Sequence, residues 1–197
     1  MLFICHRVNK VQDLRKIPFE YGVEVDVRDR DQNLILSHDP LSDGELFEEY
    51  LKDFNHALLV INIKSQHLEV KILEILNFYN IKNYFFLDSA FSSLVMLNSE
   101  DNNNISFAGR LSEYESIETI ELSSKLINWV WVDSFTRLGY GSDEYKRIRS
   151  LNKRICLTGP DLLGRPDDIK KFKEEITKLE ILPDAICTKF YNIDLWS

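Results

Sequence analysis

Short apolar runs recur along the chain at regular spacing: Leu2 to Cys5, Val23 to Val27, Leu58 to Ile61, Tyr84 to Leu87, Ile105 to Ala108, Trp129 to Val132, Ile155 to Leu157 and Ala185 to Cys187. Each is too short for a typical helix and rich in β-branched or aromatic residues. Most are apolar on both faces, the pattern of strands buried in a parallel sheet. Between most of them, segments such as Leu46 to Phe54, Leu68 to Tyr79 and Ile169 to Leu179 return apolar residues every three or four positions, which predicts amphipathic helices. Asp43-Gly44, Asn102 to Asn104, Gly139 to Gly141 and Gly164-Arg165-Pro166 predict loops.

Strand and helix alternating in this way predict an α/β protein, a compact (β/α)8 barrel of the TIM type, with residues 1–197 as a single domain. An open doubly wound sheet is the alternative, weakened by the absence of a Gly-rich turn after the first strand. Because the chain ends soon after Cys187, the last helix is expected to be vestigial. Leu34 to Leu36 is an additional apolar segment that extends or follows the second strand.

The 197 residues are 44% hydrophobic and 28% charged, ordinary for a globular domain with a sizeable core. The formal net charge of −8 argues against a broad nucleic-acid footprint, which needs a basic face. A small anionic substrate would need a local cationic pocket instead. No apolar run approaches a membrane span, and Met1 to Cys5 lead into polar His6, Arg7 and Asn9 without a secretion-signal pattern, so a cytoplasmic protein is expected. Cys5, Cys156 and Cys187 lie in apolar runs without zinc-site spacing and are read as buried reduced thiols. The pattern does not define an oligomeric state.

Active sites of parallel barrels are built at the carboxyl ends of the strands. Here those ends are His6-Arg7, Glu24-x-Asp26 with His38-Asp39 beyond, Asn62-x-Lys64, Asp88-Ser89, Arg110, Asp133-Ser134 and Thr158. Alternate residues of a strand share a face, so Glu24 and Asp26 can point to the barrel axis together. Two inward carboxylates are costly unless a cation joins them, and oxygen ligands suit Mg2+ or Ca2+. Asn62 adds a neutral oxygen, and Lys64 and Arg7 can hold phosphate oxygens. His6 and His38 make a candidate acid–base pair, since an unperturbed imidazole exchanges protons near working pH. Trp131 shares a face with Asp133 and is read with it as substrate-contacting or as packing, whereas Trp129 reads as core. Ser112 is read as the cap of the following helix and Glu113 is left open. Taken singly, each residue fits a bland reading better; their joint occurrence at successive strand ends argues for a site.

Cys5-His6-Arg7, Val23-Glu24-Val25-Asp26-Val27 and Leu36-Ser37-His38-Asp39-Pro40 resemble the glycerophosphodiester phosphodiesterase-like superfamily of TIM barrels, which also holds phosphatidylinositol-specific phospholipase C-like and sphingomyelinase D-like members. Later segments, among them Val60 to Lys64, Tyr84 to Ser89, Arg110 to Glu115, Trp131 to Phe135 and Thr158 to Leu162, are similar to a bacterial subgroup of it. The resemblance implies a phosphoric diester hydrolase acting on a glycerophosphodiester or sugar-phosphate diester, by water or by an adjacent hydroxyl through a cyclic phosphate. It also implies catalytic His6 and His38, phosphate-holding Arg7 and Lys64, and one divalent cation on Glu24 and Asp26. Two positions depart from the family pattern. Val8 stands where the family has Gly, removing a residue free to adopt positive φ. Asn62 replaces the third acidic ligand, leaving Asp88 as the candidate to supply a carboxylate. These departures feed the alternative of a barrel that binds a phosphorylated small molecule without turnover.

Overall fold

The computed structural model describes residues 1–98 and 105–196, so the predicted Asn102 to Asn104 loop lies outside the described residues. In chain order the elements are β1 (Leu2–Cys5), α1 (Val11–Leu14), β2 (Gly22–Arg30), β3 (Asn33–Leu36), β4 (Glu45–Leu46), α2 (Phe47–Leu51), β5 (Leu58–Ile63), α3 (Glu69–Phe78), β6 (Tyr84–Leu87), α4 (Phe91–Asn98), β7 (Ala108–Leu111), α5 (Ile117–Leu122), β8 (Trp129–Val132), α6 (Ser142–Ser150), β9 (Arg154–Thr158), α7 (Ile169–Leu179), β10 (Ala185–Thr188) and α8 (Ile193–Trp196). They form two compact units, Arg7–Phe107 and Met1–His6 with Ala108–Ser197.

In the unit Arg7–Phe107, β2 and β5 run parallel with Glu24 opposite Val60 and Asp26 opposite Asn62. β5 pairs parallel with β6, and Phe86 of β6 bridges to Phe107. β3 folds back antiparallel on β2, and β4 pairs with β3. The β2–β3 turn has Asp31 at φ 47° and Gln32 at φ 67°, the left-handed pair of a type I′ hairpin. The Leu34 to Leu36 segment therefore returns along the second strand. Val23, Val25 and Val27 fill one face of β2 while Glu24 and Asp26 are fully buried on the other, which excludes a solvated polar face.

In the unit Met1–His6 with Ala108–Ser197, β1, β10, β9, β8 and β7 are parallel neighbours in that order. Ile169, Phe172 and Ile176 of α7 are buried at helical spacing, each contributing about 1.5–3 kcal/mol by leaving water. Trp129 is core as read from the sequence, and Trp196 is also buried, with its indole donating to Thr188 Oγ1 at 3.2 Å. All three cysteines are buried free thiols. The last helix, α8, is a single turn.

Several strands run past their apolar runs, β2 as far as Arg30, and two other elements are shifted or shortened. The fifth predicted strand is displaced towards the carboxyl end, to Ala108–Leu111, with Phe107 making only an isolated bridge. The predicted helix Leu46 to Phe54 shortens to Phe47–Leu51, because Glu45 and Leu46 are drawn into β4 against β3. No helix among the described residues is long and apolar enough to cross a membrane.

Candidate active site

Adjacent positions on β2 and β5 bring Glu24, Asp26 and Asn62 onto one buried face, with Lys64 just past the end of β5. Glu24 Oε1 accepts from the Asn62 amide at 3.0 Å, and Oε2 accepts from the Arg7 backbone N–H at 2.7 Å. Asp26 Oδ2 accepts from Asn9 Nδ2 at 2.8 Å, and Asn9 Oδ1 accepts from the Asp26 N–H at 2.9 Å. Lys64 Nζ stands 3.3 Å from Asp26 Oδ1 and 4.0 Å from Asp88 Oδ2, and Arg7 Nε is 3.8 Å from Asp26 Oδ2. Burial, followed by the charge of neighbouring Asp26, pushes the Glu24 carboxyl up to about 7.

The backbone here is strained in two places. Arg7 has φ 54° and Asp88 φ 64°, left-handed values that cost an L-residue on the order of 1–2 kcal/mol. The departure at Val8 therefore does not deprive the turn of a positive φ, since Arg7 adopts it while Val8 is buried and donates to the Glu24 carbonyl at 2.9 Å.

His38 is held from both sides of its ring. Nδ1 lies 2.8 Å from Asp39 Oδ1, an acceptor, and Arg7 Nη2, which can only donate, lies 2.5 Å from Nε2. Those partners select the neutral tautomer with the proton on Nδ1 and a lone pair on Nε2. The hydrogen bond from His38 holds the Asp39 carboxyl below its ordinary range. Arg28 fixes the loop by donating to the Ser37 and His38 carbonyls at 3.0 and 2.9 Å. A cavity of about 410 Å³ opens beside His38, walled by Asn9, Lys10, Ser37, Asp43 and Glu45.

In the other unit, His6 follows β1 and its Nδ1 lies 2.9 Å from Lys189 Nζ, while its N–H donates to the Thr188 carbonyl at 3.0 Å. Asp161 Oδ2 anchors this strand end, accepting from Thr188 Oγ1, the Lys189 N–H and Asn192 Nδ2 at 2.8–3.0 Å. A Cβ at Gly159 would collide with the Asp161 carboxylate, so glycine is required for that approach. Asp133 accepts from the Trp131 indole at 3.1 Å and pairs with Arg110, and burial raises its pKa. Trp131 and Asp133, read as substrate-contacting or as packing, are thus bonded to each other, and Asp133 to Arg110.

Thr158 Oγ1 donates to the Val132 carbonyl and ties β9 to β8. Ser112 is not the cap of α5, where Ser116 holds that position; its hydroxyl instead accepts from the N–H groups of Tyr114 and Glu115 in the preceding turn. Glu113 accepts from the N–H groups of Phe135, Thr136 and Arg137, which brings its pKa down to about 2 even though its partial burial pulls the other way. A larger cavity of about 500 Å³ lies beside it, but the carboxylates of Glu113, Glu115, Glu118 and Glu144 there are already bonded within the protein.

Whether the β2–β5 face suits a metal ion turns on its donors. Asp26 Oδ1 and Asn62 Oδ1 are buried without a hydrogen-bond partner, and both are hard oxygens. With all three ionised, the carboxylates Glu24, Asp26 and Asp88 face two cations, Arg7 and Lys64, which leaves the cluster one positive charge short before any anion arrives. The residues therefore fit a hard divalent ion. Because the third close oxygen is the amide of Asn62, no group of three or more His, Cys, Asp or Glu among the described residues is arranged to hold one.

Neither a family model nor a curated protein sequence matches the chain. Solved structures do. A glycerophosphodiester phosphodiesterase from Agrobacterium tumefaciens superposes at TM-score 0.68 and 14% identity, over 100% of this chain and 99% of that one. An Oleispira antarctica phosphodiesterase in complex with the product sn-glycerol-3-phosphate superposes at TM-score 0.69 and 13% identity, over 98% and 97%. A glycerophosphoryl diester phosphodiesterase from Parabacteroides distasonis gives TM-score 0.68 and 12% identity, over 99% and 85%. At these identities the likeness is one of fold: the chain is an α/β protein with a TIM-barrel fold similar to that of these phosphodiesterases.

Proposed function

We propose that the protein hydrolyses a small phosphodiester of the glycerophosphodiester or sugar-phosphate type with the help of one divalent cation. The observation that carries this reading is the buried Glu24–Asp26 pair, with Asp26 and Asn62 oxygens that accept no hydrogen bond, beside Arg7 and Lys64. The Oleispira enzyme's product, a glycerol phosphate, is the class of ligand such a face would take. Glu24, Asp26 and Asn62, with Asp88 as the further carboxylate, would hold Mg2+ or Ca2+, which supplies Lewis acidity and offsets the charge of the substrate phosphate.

The protein's own groups divide the remaining work. Arg7 and Lys64 bind phosphate oxygens and stabilise charge that grows in the transition state. When Arg7 turns to the phosphate it releases His38 Nε2, whose lone pair then takes the proton of water or of a hydroxyl adjacent to the ester. The cavity beside His38 is sized for a small polyol or sugar substituent. His6, next to Arg7 in the chain, gives a proton to the leaving oxygen.

A second reading, a barrel that binds a phosphorylated small molecule without turnover, draws on Asn62 in the third ligand position and on the Arg7–His38 bond that occupies the base. Incubation with glycerophosphodiesters and a nitrophenyl phosphodiester, with and without divalent ions, separates the two. Divalent-dependent product release supports the enzyme. Ligand-induced thermal stabilisation with no product supports the binder.

A further inference from the structure

Lys189 follows the last apolar run directly, and its ammonium meets the ring of His6 rather than a carboxylate. An ammonium has three protons and no lone pair, so at 2.9 Å from Nδ1 it donates and the imidazole nitrogen accepts. That leaves the ring proton on Nε2. The lysine is not placed by chance contact of a long side chain alone: its own N–H is tied to Asp161, the neighbouring Thr188 is tied to the same carboxylate oxygen, and Asn192 closes the turn on it. His6 is fixed in turn by its N–H on the Thr188 carbonyl. The partners of the two histidines therefore select opposite tautomers, Nδ1–H for His38 and Nε2–H for His6.

We propose that Lys189 is a positioning residue that holds His6 as a neutral Nε2–H donor and resupplies its proton, so that the acid side of the reaction is a Lys189–His6 relay. This rests on the phosphodiesterase reading above. As the P–O bond to the leaving group breaks, the Nε2 proton passes to the departing oxygen, which leaves as an alcohol. Nδ1 takes a proton from Lys189 Nζ, and the lysine is left as a neutral amine that regains a proton from solvent. The relay takes its proton from the lysine nitrogen and does not require an imidazole ring protonated on both nitrogens. It matters most where the leaving group is a poor one, an alkoxide such as that of glycerol, and least where the leaving group departs without a proton.

The test pairs a leaving-group comparison with a spectroscopic one on the full chain. Lys189→Met should lower turnover of a glyceryl phosphodiester relative to a nitrophenyl phosphodiester by about 10²-fold, the usual scale of proton-transfer catalysis, and Lys189→Arg, whose guanidinium can donate to Nδ1 but does not give up its proton, should leave most of that loss in place. Long-range proton–nitrogen spectra of the histidine rings at pH 7 should show His6 as the Nε2–H tautomer in the parent and in Lys189→Arg, and a tautomer mixture in Lys189→Met. A His6 ring protonated on Nδ1 in the parent, or a Lys189→Met variant with unchanged tautomer or an unchanged ratio between the two esters, overturns the proposal. If neither ester is cleaved by the parent protein, the phosphodiesterase reading fails, and the ring spectra then decide separately whether Lys189 sets the tautomer.

Discussion

Glu24→Gln should make the metal-free protein more stable at pH 8 and no more stable at pH 5. Glu24 is wholly buried, and its carboxyl rises from 4.5 to about 7 because burial and the Asp26 charge both oppose ionisation. An acid whose folded pKa is raised contributes stability that is fully present below the unfolded value and is lost as pH rises through the folded one. The loss thus falls between about pH 4.5 and 7, and about 2.5 units at 1.36 kcal/mol each gives on the order of 3 kcal/mol. The amide removes that penalty but turns an NH₂ towards one of two donors, the Arg7 N–H or the Asn62 amide, at a cost of about 1–2 kcal/mol. The net gain at pH 8 is about 1–2 kcal/mol, or about 3–6 °C in Tm for a chain of this size. Calorimetric melting in a chelator at both pH values reads it directly. A Glu24→Gln protein that melts lower than the parent at pH 8, or by the same margin at both pH values, would refute the argument that burial and the Asp26 charge oppose ionisation of Glu24.

Other consequences follow from the same contacts. Asn62→Glu should tighten a divalent ion by about tenfold in titration calorimetry by restoring a third carboxylate, whereas Asp88→Asn should weaken it by a similar factor if Asp88 reaches the ion; no change in either variant would mean that these two positions do not face it. Asp39→Ala frees His38 Nδ1 and should lower kcat by about tenfold, with KM little altered, because the partner is solvent-exposed and water replaces part of its effect; unchanged kcat would remove His38 from the base role. Glu113→Gln should destabilise the protein at neutral pH and abolish part of its acid sensitivity. The Glu113 pKa of about 2 means its contribution is present above about pH 4.5 and lost as pH falls towards 2. Thermal melts of parent and variant at pH 7 and pH 3 check this, with a smaller difference expected at the lower pH.

Much of this architecture was readable because strands buried on both faces leave uninterrupted apolar runs. Trp129–Val132 is the clearest case, and helical spacing marked α7 at both of its ends. β7 was displaced because Gly109 and Arg110 carry no strand signal, whereas Ile105 and Phe107 beside them do. The direction of Leu34 to Leu36 was illegible for a different reason: Asp31-Gln32 is not a typical type I′ pair, so no residue announced the hairpin. The strand-end rule named Arg7, Glu24, Asp26, Asn62 and Lys64, which the structure groups on and beside the β2–β5 face, and it named His6 at the end of β1. It would also have found Lys189, had the end of the eighth run been read as the others were. Asn9, Arg28 and Asp161 act through partners 9 to 31 residues away and leave no local pattern. Ser112 was misread because the turn it braces lies just ahead of the helix it was expected to cap.

The most direct measurement is turnover of a glycerophosphodiester by the parent protein and by Glu24→Gln and Asp26→Asn, each with Mg2+ or Ca2+ and with chelator, after melting curves have shown all three to be folded. The account predicts release of a phosphate monoester or cyclic phosphate by the parent with the ion present, loss of at least about 10²-fold with chelator, and a loss of similar size in each variant that added ion does not restore. Equal turnover with ion and with chelator, or a folded Glu24→Gln or Asp26→Asn protein as active as the parent, would contradict it.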